Sequence, residues 1–458
     1  MKETHLREGA QTIKLGLIKV TRDLFPDDLL KTSYSILEGV FCNLAHSSLS
    51  VREVKQIEFK LREWVLQNNS IQLLGHHDGY YHYQVDDMLI KAVYPAHTHP
   101  QAADDFIMFP FSYGFIIYFG DQNRYFEPPY LLSATYEKSQ RWLRDINIEF
   151  VSDVNDYIRS GQSLKLLSIA EAVHEKILSD IADSILRQRR ALRMLLIAGP
   201  SSSGKTSFAQ RISTQLHING LKTVALSLDD YYLDREQMPR DEDGNIDFDS
   251  LYALDLPLLQ KHLAQLINGE TIESPIHDFI RSGRAKETKT MHVSPSEILI
   301  IEGIHALNPE LTLNINRSLL FKVYVSALGG LNFDLCNRVP TTEMRLIRRL
   351  VRDDRYRGSH PEETFGMWAS VRRGEEQNIF YFQEDSDVMF NSNILYEMNA
   401  MRPYAEITLS KVRDDSPFYE TKERLMNLLS FFEPMDVAKV PYNSILREFI
   451  GGSIYFSY

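Results

Sequence analysis

The sequence has 458 residues, of which 43% are hydrophobic and 24% are charged, so two or three domains with sizeable cores are expected. The formal net charge of −12 argues against a general nucleic-acid-binding or membrane-surface protein, because such proteins usually carry a surplus of basic residues. Two cysteines cannot build a disulfide framework, and no run of about 18 apolar residues occurs, so we expect a cytoplasmic protein without membrane or nucleic-acid partners.

Residues 1–160 are predicted to form an N-terminal α+β domain. Ser50 and Glu53 have the spacing of a capping box, which marks the start of a helix. Apolar residues then recur on one helical face at Val54, Ile57, Leu61 and Val65. Residues 115–119 have the composition of a short strand. No cysteine or cluster of acidic residues completes a metal-ligand set around the histidines at positions 76–99, so no metal site is predicted in this domain.

Residues 161–190 are predicted to be a helical linker, because isoleucine or valine recurs every four residues from Ile169 to Ile185. Between residues 191 and 411, short apolar runs alternate with helical patterns. This alternation predicts a parallel sheet with helices on both faces, the α/β architecture of a P-loop NTPase. The apolar runs are residues 192–198, 224–228, 298–301 and 321–325. Residues 412–458 are predicted to form a C-terminal extension.

One segment at the end of the first apolar run fits the phosphate-loop pattern G-x-x-x-x-G-K-[ST]. Its glycines permit a tight backbone path whose N–H groups can surround phosphate oxygens, and the following helix adds the positive end of its dipole. The lysine can neutralise the β- and γ-phosphates, and the threonine hydroxyl can bind Mg²⁺. The pattern therefore predicts ATP and Mg²⁺ as ligands, with an ordinary Gly/Ser turn as the alternative. The segment consists of Gly199, Pro200, Ser201, Ser202, Ser203, Gly204, Lys205 and Thr206.

Two acidic sites follow predicted strands, namely Asp229 with Asp230 and, further along the chain, Glu302. Ligands of open α/β sheets bind at the carboxyl ends of the strands, so both sites are expected to face the phosphate loop. A kinase needs one carboxylate to accept the proton of the attacking hydroxyl and another to help hold Mg²⁺. We assign Asp229 the first role and Glu302 the second; the alternative is that either acid caps a turn.

An arginine-rich helix is predicted late in the kinase region. Spacings of three and four residues place several of its guanidinium groups on one face, where a mobile lid could stabilise the transferred phosphoryl group. A solvated basic face is the alternative. The arginines are Arg345, Arg348, Arg349, Arg352, Arg355 and Arg357.

The run from Gly199 to Gly358 resembles the uridine kinase and phosphoribulokinase group of P-loop kinases. The resemblance is carried by residues 199–206, 227–232, 275–279 with Arg284, and 348–353 with Arg357 and Gly358. The whole chain is also similar to bacterial uridine-kinase-like proteins with an N-terminal domain like that of threonyl-tRNA synthetase, through residues 241–245, 308–311, 371–376 and 443–449. This likeness implies phosphorylation of a ribonucleoside 5′-hydroxyl by ATP and Mg²⁺, and it leaves open whether the chain forms a homo-oligomer.

The resemblance also implies roles for individual residues. Asp229 corresponds to the catalytic base, and the lid arginines correspond to Arg349, Arg352 and Arg357. Tyr232 corresponds to an aromatic residue beside the nucleoside, and Asp249 to an acid that holds the ribose hydroxyls. The implied substrate-binding set consists of Tyr232, Asp249, His277, Arg284 and Arg349.

Three positions depart from the pattern of pyrimidine nucleoside kinases. His277 stands where they have tyrosine, Ser282 where they have a base-contacting histidine, and Ser359 where they have a second lid arginine. These changes leave a different nucleoside, a non-nucleoside alcohol such as a sugar phosphate, or an ATP-binding regulatory protein as alternatives. The N-terminal domain lacks the His-x-x-x-His pair of enzymes that hydrolyse mischarged tRNA, since Cys42 lies four residues before His46. We interpret it as a substrate-specificity, regulatory or assembly module.

Overall fold

The computed structural model describes residues 2–36, 38–103, 105–120, 129–241, 244–278 and 283–456 of the chain. Ser282, one of the three departures noted above, lies outside the described residues. A five-stranded parallel sheet and two smaller antiparallel sheets account for most of the strands, and the parallel sheet carries helices on both faces. The predicted α/β architecture with an N-terminal α+β region is confirmed.

The N-terminal region contains two antiparallel sheets. The larger has the strand order β1-β2-β7-β6 and the smaller the order β3-β4-β5. The elements are α1 (Lys2–Leu24), β1 (Leu30–Ile36), β2 (Gly39–Leu44), α2 (Val51–Gln67), β3 (Ile71–His77), β4 (Tyr80–Val85), β5 (Met88–Ala92), β6 (Ile107–Phe111) and β7 (Gly114–Tyr118). Residues of α1, α2 and both sheets form one core. The opposite face of the larger sheet, with Tyr34, Phe41 and Ile116, packs into a core that it shares with the parallel sheet.

Helix α2 begins as its sequence predicts. The Ser50 hydroxyl accepts a hydrogen bond from the Glu53 amide at 3.3 Å, and the Glu53 carboxylate accepts one from the Ser50 amide at 2.7 Å. Val54, Ile57 and Leu61 are buried. The capping box and the apolar face are therefore confirmed, as is the short strand predicted near residue 115, which is β7.

Three helices join the two regions: α3 (Tyr130–Asp145), α4 (Val151–Arg159) and α5 (Ser163–Gln188). Helix α5 covers the segment predicted as a helical linker. Its fully buried face includes Ala170, His174 and Leu178, so the buried stripe is rotated from the one predicted, and only Ile181 and Ile185 of that stripe are fully buried. The helix packs into the core beneath the parallel sheet. The domain boundaries at 160, 190 and 411 remain predictions.

The kinase region is built around the parallel sheet. Its larger elements are β8 (Met194–Ala198), α6 (Lys205–Ile218), β9 (Lys222–Ser227), α7 (Leu256–Ile267), β14 (Glu297–Glu302), β15 (Leu320–Ser326), α8 (Thr341–Tyr356), α9 (Pro361–Asn378), β16 (Val388–Asn391) and α10 (Glu397–Leu409). Two short hairpins precede β14, formed by β10 (Ile272–Ser274) with β13 (Lys289–Met291) and by β11 (His277–Asp278) with β12 (Gly283–Arg284). The extension contributes α11 (Tyr419–Ser430) and α12 (Arg447–Ile450).

The parallel sheet has the strand order β16-β15-β8-β14-β9 and separates two cores. Successive strand residues point to opposite faces, so Leu195 and Ile197 pack with α5, α6, α8 and α10, whereas Met194 and Leu196 pack with α3 and α7. Both faces of the sheet are therefore buried, as the continuous apolar runs predicted. No helix among the described residues combines the length and apolarity needed to cross a bilayer.

Candidate active site

The phosphate loop lies at the carboxyl end of the central strand β8. The two neighbours of β8 are β14 and β15, which come later in the chain than β9, so the strand order changes direction at β8. Ligands of open α/β sheets bind at such a point. Glu302 ends β14, and Asp229 follows β9 in a short turn at residues 228–231, so both predicted acids lie at this edge of the sheet.

The loop itself requires glycine at both ends. A Cβ atom at Gly199 would lie 2.0 Å from the carbonyl oxygen of Val325, and Gly204 has a φ of +85°, a region that favours glycine. The hydroxyl oxygens of Ser202 and Ser203 are buried and have no hydrogen-bond partner among the described residues. Buried polar atoms without partners are rare, so these hydroxyl groups are suited to phosphate oxygens.

Lys205 begins helix α6, and its Nζ donates to the carbonyl oxygen of Pro200 at 3.2 Å. Burial lowers the pKa of the ammonium group, whereas the charges of Glu302 and Asp229 oppose this effect. The structure thus places the lysine and both predicted acids within electrostatic reach of one another. Lys205 is the cation of this group, and a bound chain of phosphates needs a cation to neutralise its negative charge.

The Glu302 carboxylate accepts hydrogen bonds from the Thr206 hydroxyl at 3.3 Å and the Ser227 hydroxyl at 3.0 Å. Burial and the nearby charge of Asp229 raise the pKa of Glu302 to about 7. Among the described residues there is no group of three His, Cys, Asp or Glu side chains that could bind a metal ion. Thr206 and Glu302 offer oxygen ligands of the type that Mg²⁺ prefers, and Mg²⁺ usually completes its shell with water and nucleotide oxygens. The residues present therefore fit a nucleotide-bound Mg²⁺, which would neutralise phosphate charge.

Binding of Mg·ATP is expected to release about half a proton per chain at pH 7, because the cation favours the ionised form of a carboxyl group whose pKa is about 7. Above pH 8 the carboxyl group is already ionised, so the release should vanish and the affinity should level off. Calorimetric titrations in two buffers with different ionisation enthalpies measure the release. It should disappear in Glu302→Gln and persist in Asp249→Asn; proton release that persists in Glu302→Gln would contradict this assignment.

The arginine-rich helix α8 is neither an exposed basic face nor an exposed lid in this structure. Arg345, Arg348 and Arg352 are buried, and the apolar residues between them belong to the core. Arg345 Nε donates to the carbonyl oxygen of Ser201 at 3.0 Å, and Arg348 Nη1 donates to that of Ser202 at 3.2 Å. Two of the arginines therefore support the phosphate loop from behind rather than reaching over it.

The three arginines assigned by resemblance are held together by Asp353. Its carboxylate lies 3.2 Å from Arg349 Nε, 3.2 Å from Arg352 Nε and 3.6 Å from Arg357 Nη1. Burial alone would raise the pKa of Asp353, but the three guanidinium groups, Arg352 foremost, lower it below its usual value. Arg349 also donates to the Ser201 hydroxyl at 3.1 Å. The predicted arginines therefore form one cluster beside the phosphate loop, and Arg357 is its most exposed member.

The residues assigned to the acceptor lie on the Asp229 side of the site. Burial, together with the charges of Asp229 and Asp249, raises the pKa of Tyr232, whose hydroxyl donates to the carbonyl oxygen of Phe248 at 3.1 Å. Burial and the charge of Glu375 raise the pKa of Asp249 to about 7. A Cβ atom at Gly374 of α9 would lie 2.2 Å from the Cβ of Asp249, so the glycine lets the acid approach this helix closely.

His277 and Arg284 face each other across the short hairpin of β11 and β12. The His277 ring lies 5.8 Å from the Tyr232 ring, and its backbone N–H donates to Asp230. Arg284 Nη2 instead lies 3.0 Å from an oxygen of Asp255. The structure therefore brings His277 to the predicted acceptor aromatic and commits the Arg284 charge to an ion pair.

Sequence reasoning missed three buried glutamates around the loop. Glu375 of α9 pairs with Arg345 and accepts from the Ser201 amide at 3.2 Å, and Glu397 of α10 accepts from Arg348 Nη2 at 2.6 Å. Glu448 of α12 accepts from the Ser207 hydroxyl at 2.7 Å. No local signal marks Glu397, whereas Glu375 lies in one of the stretches that carry the family resemblance, residues 371–376. Glu448 also lies in such a stretch, residues 443–449. The resemblance therefore marked this residue, but its contact with Ser207 could not be predicted from it.

Glu448 brings the C-terminal extension into the phosphate site. One carboxylate oxygen takes the Ser207 bond and the other lies 3.8 Å from Arg352 Nη1, and its charge also raises the pKa of Lys205 and Glu302. Glu448→Gln keeps an acceptor for Ser207 but removes the charge. We expect kcat to fall roughly 10-fold, because Arg352 loses a carboxylate neighbour that holds it beside the phosphate loop.

The same variant should also shift the pH dependence of kcat to lower pH, because the pKa of Glu302 falls when a neighbouring negative charge is removed. Steady-state kinetics between pH 5.5 and 9, roughly the range around that pKa, measure both effects. Glu433→Gln, which removes a glutamate from a surface ion pair with Arg159, is the matched control and should change neither. A Glu448→Gln profile that overlays that of the wild type would mean that the carboxylate only packs.

This fold and this site together define a P-loop phosphotransferase. Residues 194–393 match the model of the phosphoribulokinase/uridine kinase family. A uridine kinase of Bacillus pumilus is 34% identical over 39% of this chain and 75% of its own length, and one of Lactobacillus helveticus is 36% identical over 35% of this chain and 68% of its own. A solved structure described as a possible uridine kinase from Bacillus stearothermophilus is 23% identical, covers 46% of this chain and 96% of its own, and has a TM-score of 0.29.

The chain belongs to the phosphoribulokinase/uridine kinase family. It is an ATP-dependent phosphotransferase that acts on a hydroxyl group.

Proposed function

We propose that the protein transfers the γ-phosphate of ATP to the 5′-hydroxyl of a nucleoside. The observation that carries the proposal is the position of Asp229, which follows β9 and interacts electrostatically with Lys205, Glu302 and Tyr232. In this role Asp229 accepts the proton of the acceptor hydroxyl. The oxygen of that hydroxyl bonds to the γ-phosphorus, and the bond between the γ-phosphorus and the β-phosphate oxygen breaks to release ADP. The uridine kinases among the relatives support a nucleoside as acceptor.

The acceptor side of the site supports a sugar that carries two neighbouring hydroxyl groups. Asp249 is partly buried, lies near Arg349 and Glu375, and could accept hydrogen bonds from both hydroxyl groups of a ribose. The Tyr232 ring could pack against the sugar or the base. Since a carboxyl group with a pKa of about 7 is half protonated at neutral pH, binding of the diol is expected to favour its ionised form.

A kinase for a non-nucleoside alcohol, such as a sugar phosphate, is the second candidate. It is favoured by His277, which replaces the family's tyrosine and lies beside Tyr232. A protonated imidazole could form an ion pair with a phosphate group, whereas a tyrosine side chain carries no positive charge.

The deciding experiment is a panel of acceptors with ATP and Mg²⁺. Ribonucleosides, deoxyribonucleosides, sugar phosphates and polyols are compared by ADP release and by mass spectrometry of the product, with Lys205→Ala protein as the blank. Phosphorylation of a ribonucleoside supports the first proposal. Turnover of a sugar phosphate or polyol alone selects the second, and ATP binding without turnover of any acceptor would favour the regulatory alternative.

The N-terminal region is proposed to be a module like that of threonyl-tRNA synthetase that serves substrate specificity, regulation or assembly, and not tRNA binding. The core formed by α1, α2 and residues of both antiparallel sheets supports such a module. We also propose a cytoplasmic location, with ATP and a small-molecule alcohol as the partners of the enzyme and without nucleic-acid or membrane partners.

A further inference from the structure

A cavity of about 710 Å³ lies where the N-terminal region meets the kinase region. Its walls come from helix α1, from strands β1, β2 and β7, from the segment before α8, and from helix α9. None of the phosphate-loop residues lines it, and neither does Asp229, Asp249 or Glu302. It is therefore separate from the site described above, and its volume falls within the range of about 300–1,000 Å³ that is usual for small-molecule sites.

Two cations in the lining, Lys14 and Arg338, have no carboxylate partner among the residues that the structure describes. Lys14 Nζ donates to the side-chain oxygen of Asn337 at 3.1 Å, and Arg338 donates to the Ser35 hydroxyl. In the described part of the chain neither forms an ion pair with a carboxylate. Asp334, the acid whose charge reaches Lys14, accepts hydrogen bonds from Asn337 instead. Burial lowers the pKa of both cations, so the charges near them offset their desolvation only in part.

The whole lining has four basic residues and two acidic ones, a surplus of two positive charges. The basic residues are Lys14, Arg338, Arg372 and Arg373, and the acidic ones are Glu343 and Glu376. A phosphate monoester carries a charge of about −1.5 to −2 at neutral pH and matches this surplus. One guanidinium group can donate two parallel hydrogen bonds to two oxygens of the same phosphate. A phosphate therefore suits these side chains in geometry as well as in charge.

The remaining walls of the cavity suit the organic part of a phosphate ester. Val40, Ile117 and Phe119 provide apolar surface. Gln11 is 6% exposed, and its Nε2 has no hydrogen-bond partner among the described residues, so it could donate to a carbonyl oxygen of the ligand. Inorganic phosphate alone would leave most of the cavity unfilled.

The cavity is linked to the phosphate loop through one carboxylate. Arg372 lines the cavity and donates from Nη1 to Glu375 Oε2 at 2.9 Å. The other oxygen of Glu375 accepts from the Ser201 amide in the phosphate loop. A ligand that draws Arg372 into the cavity would therefore weaken the hold on the Glu375 carboxylate, which now accepts a hydrogen bond from the Ser201 amide.

We propose that this cavity is a regulatory binding site for a small organic phosphate ester, held by Lys14 and Arg338 and coupled to ATP binding through Arg372 and Glu375. Its occupancy changes the affinity for ATP, and by linkage ATP changes the affinity for the ester by the same factor. Binding in the cavity is independent of which alcohol the enzyme phosphorylates, so this proposal and the proposed nucleoside kinase activity can fail separately.

The test compares the full-length wild type with Lys14→Met and with Lys19→Met, a control on the same helix whose lysine pairs with Asp23 and Asp87. The probe is uridine 5′-monophosphate, titrated calorimetrically beside uridine and succinate. We expect Lys14→Met to lose one binding site for the monophosphate per chain, and Lys19→Met to keep it. Uridine and succinate should not bind at the site that depends on Lys14.

Two further readouts separate a binding role from a structural one. Lys14→Met should raise Tm by roughly 2–4 °C, because it removes a desolvated cation without an acidic partner, whereas a lysine needed for the fold would lower it. The monophosphate should change the Kd of ATP about 5-fold or more in the wild type and in Lys19→Met, and by less in Lys14→Met. Unchanged monophosphate binding in Lys14→Met, binding of succinate in place of the ester, a lower Tm, or an ATP affinity that does not respond would each overturn the proposal.

Discussion

Replacing Asp229 with asparagine is expected to lower the rate of phosphoryl transfer by about 10²–10⁴-fold, or roughly 3–5 kcal/mol in the activation barrier. The amide has nearly the same size as the carboxylate but cannot accept the proton of the attacking hydroxyl. The phosphate loop and Lys205 remain intact, so ATP should bind as well as before. It could bind slightly better, because one negative charge near the phosphates is gone and the pKa of Glu302 falls.

Single-turnover transfer and an independent titration with ATP measure the two quantities separately. Asp230→Asn is the matched control, since Asp230 lies next to Asp229 in the same turn and accepts a hydrogen bond from the His277 amide. It should reduce transfer by less than about 10-fold. Transfer by Asp229→Asn at the rate of the control would show that another group accepts the proton, and Asp249 would be the next candidate.

Lys205→Ala is expected to lower kcat by about 10²–10³-fold, the usual cost of removing one cation or donor that faces developing charge. The loss should be larger than for a surface lysine, because this ammonium group is partly buried within electrostatic reach of Glu302 and Asp229, where attraction to phosphate is less screened than at the surface. Removing it also raises the pKa of Glu302, since the charge of Lys205 lowers that pKa in the wild type.

Steady-state kinetics measure kcat, and the shift in Tm with added ATP measures binding, since a ligand at 100 times its Kd stabilises the folded state by about 2.7 kcal/mol. We expect Lys205→Ala to lose most of that shift. Lys222→Ala, at the exposed start of β9, is the control and should behave as the wild type. A Lys205→Ala protein with normal kcat would remove the central role that we assign to the phosphate loop.

Local patterns predicted the parts of the site whose residues are close in the chain or end neighbouring strands. The phosphate loop is contiguous, so its glycines, Lys205 and Thr206 are placed by one turn between β8 and α6. Asp229 and Glu302 were predictable because parallel strands bring their carboxyl ends to one edge of a sheet. The same reasoning placed the capping box of α2, where the hydrogen bonds span only three residues.

The surroundings of the arginines were not predictable in this way. Spacing placed several of them on one face of α8, but it could not show that Arg345 and Arg348 are buried against the back of the phosphate loop. Their partners Glu375 and Glu397 lie 30 and 49 positions away on other helices. The stripe of α5 was misplaced for a similar reason: isoleucines on one side of a long helix do not reveal which side meets a neighbour.

The amino-acid sequence by itself determined the phosphate loop, the two acids beside it and the alternation of strands and helices that places them at one edge of a sheet. These features follow from backbone hydrogen bonding and from side-chain periodicity, which act over a few residues. Only the tertiary structure decided that Glu448, 241 positions from Ser207, completes the site and that a basic cavity lies between the two regions. Buried charges acquire partners from whichever elements pack against them, and that choice depends on the packing of the whole chain.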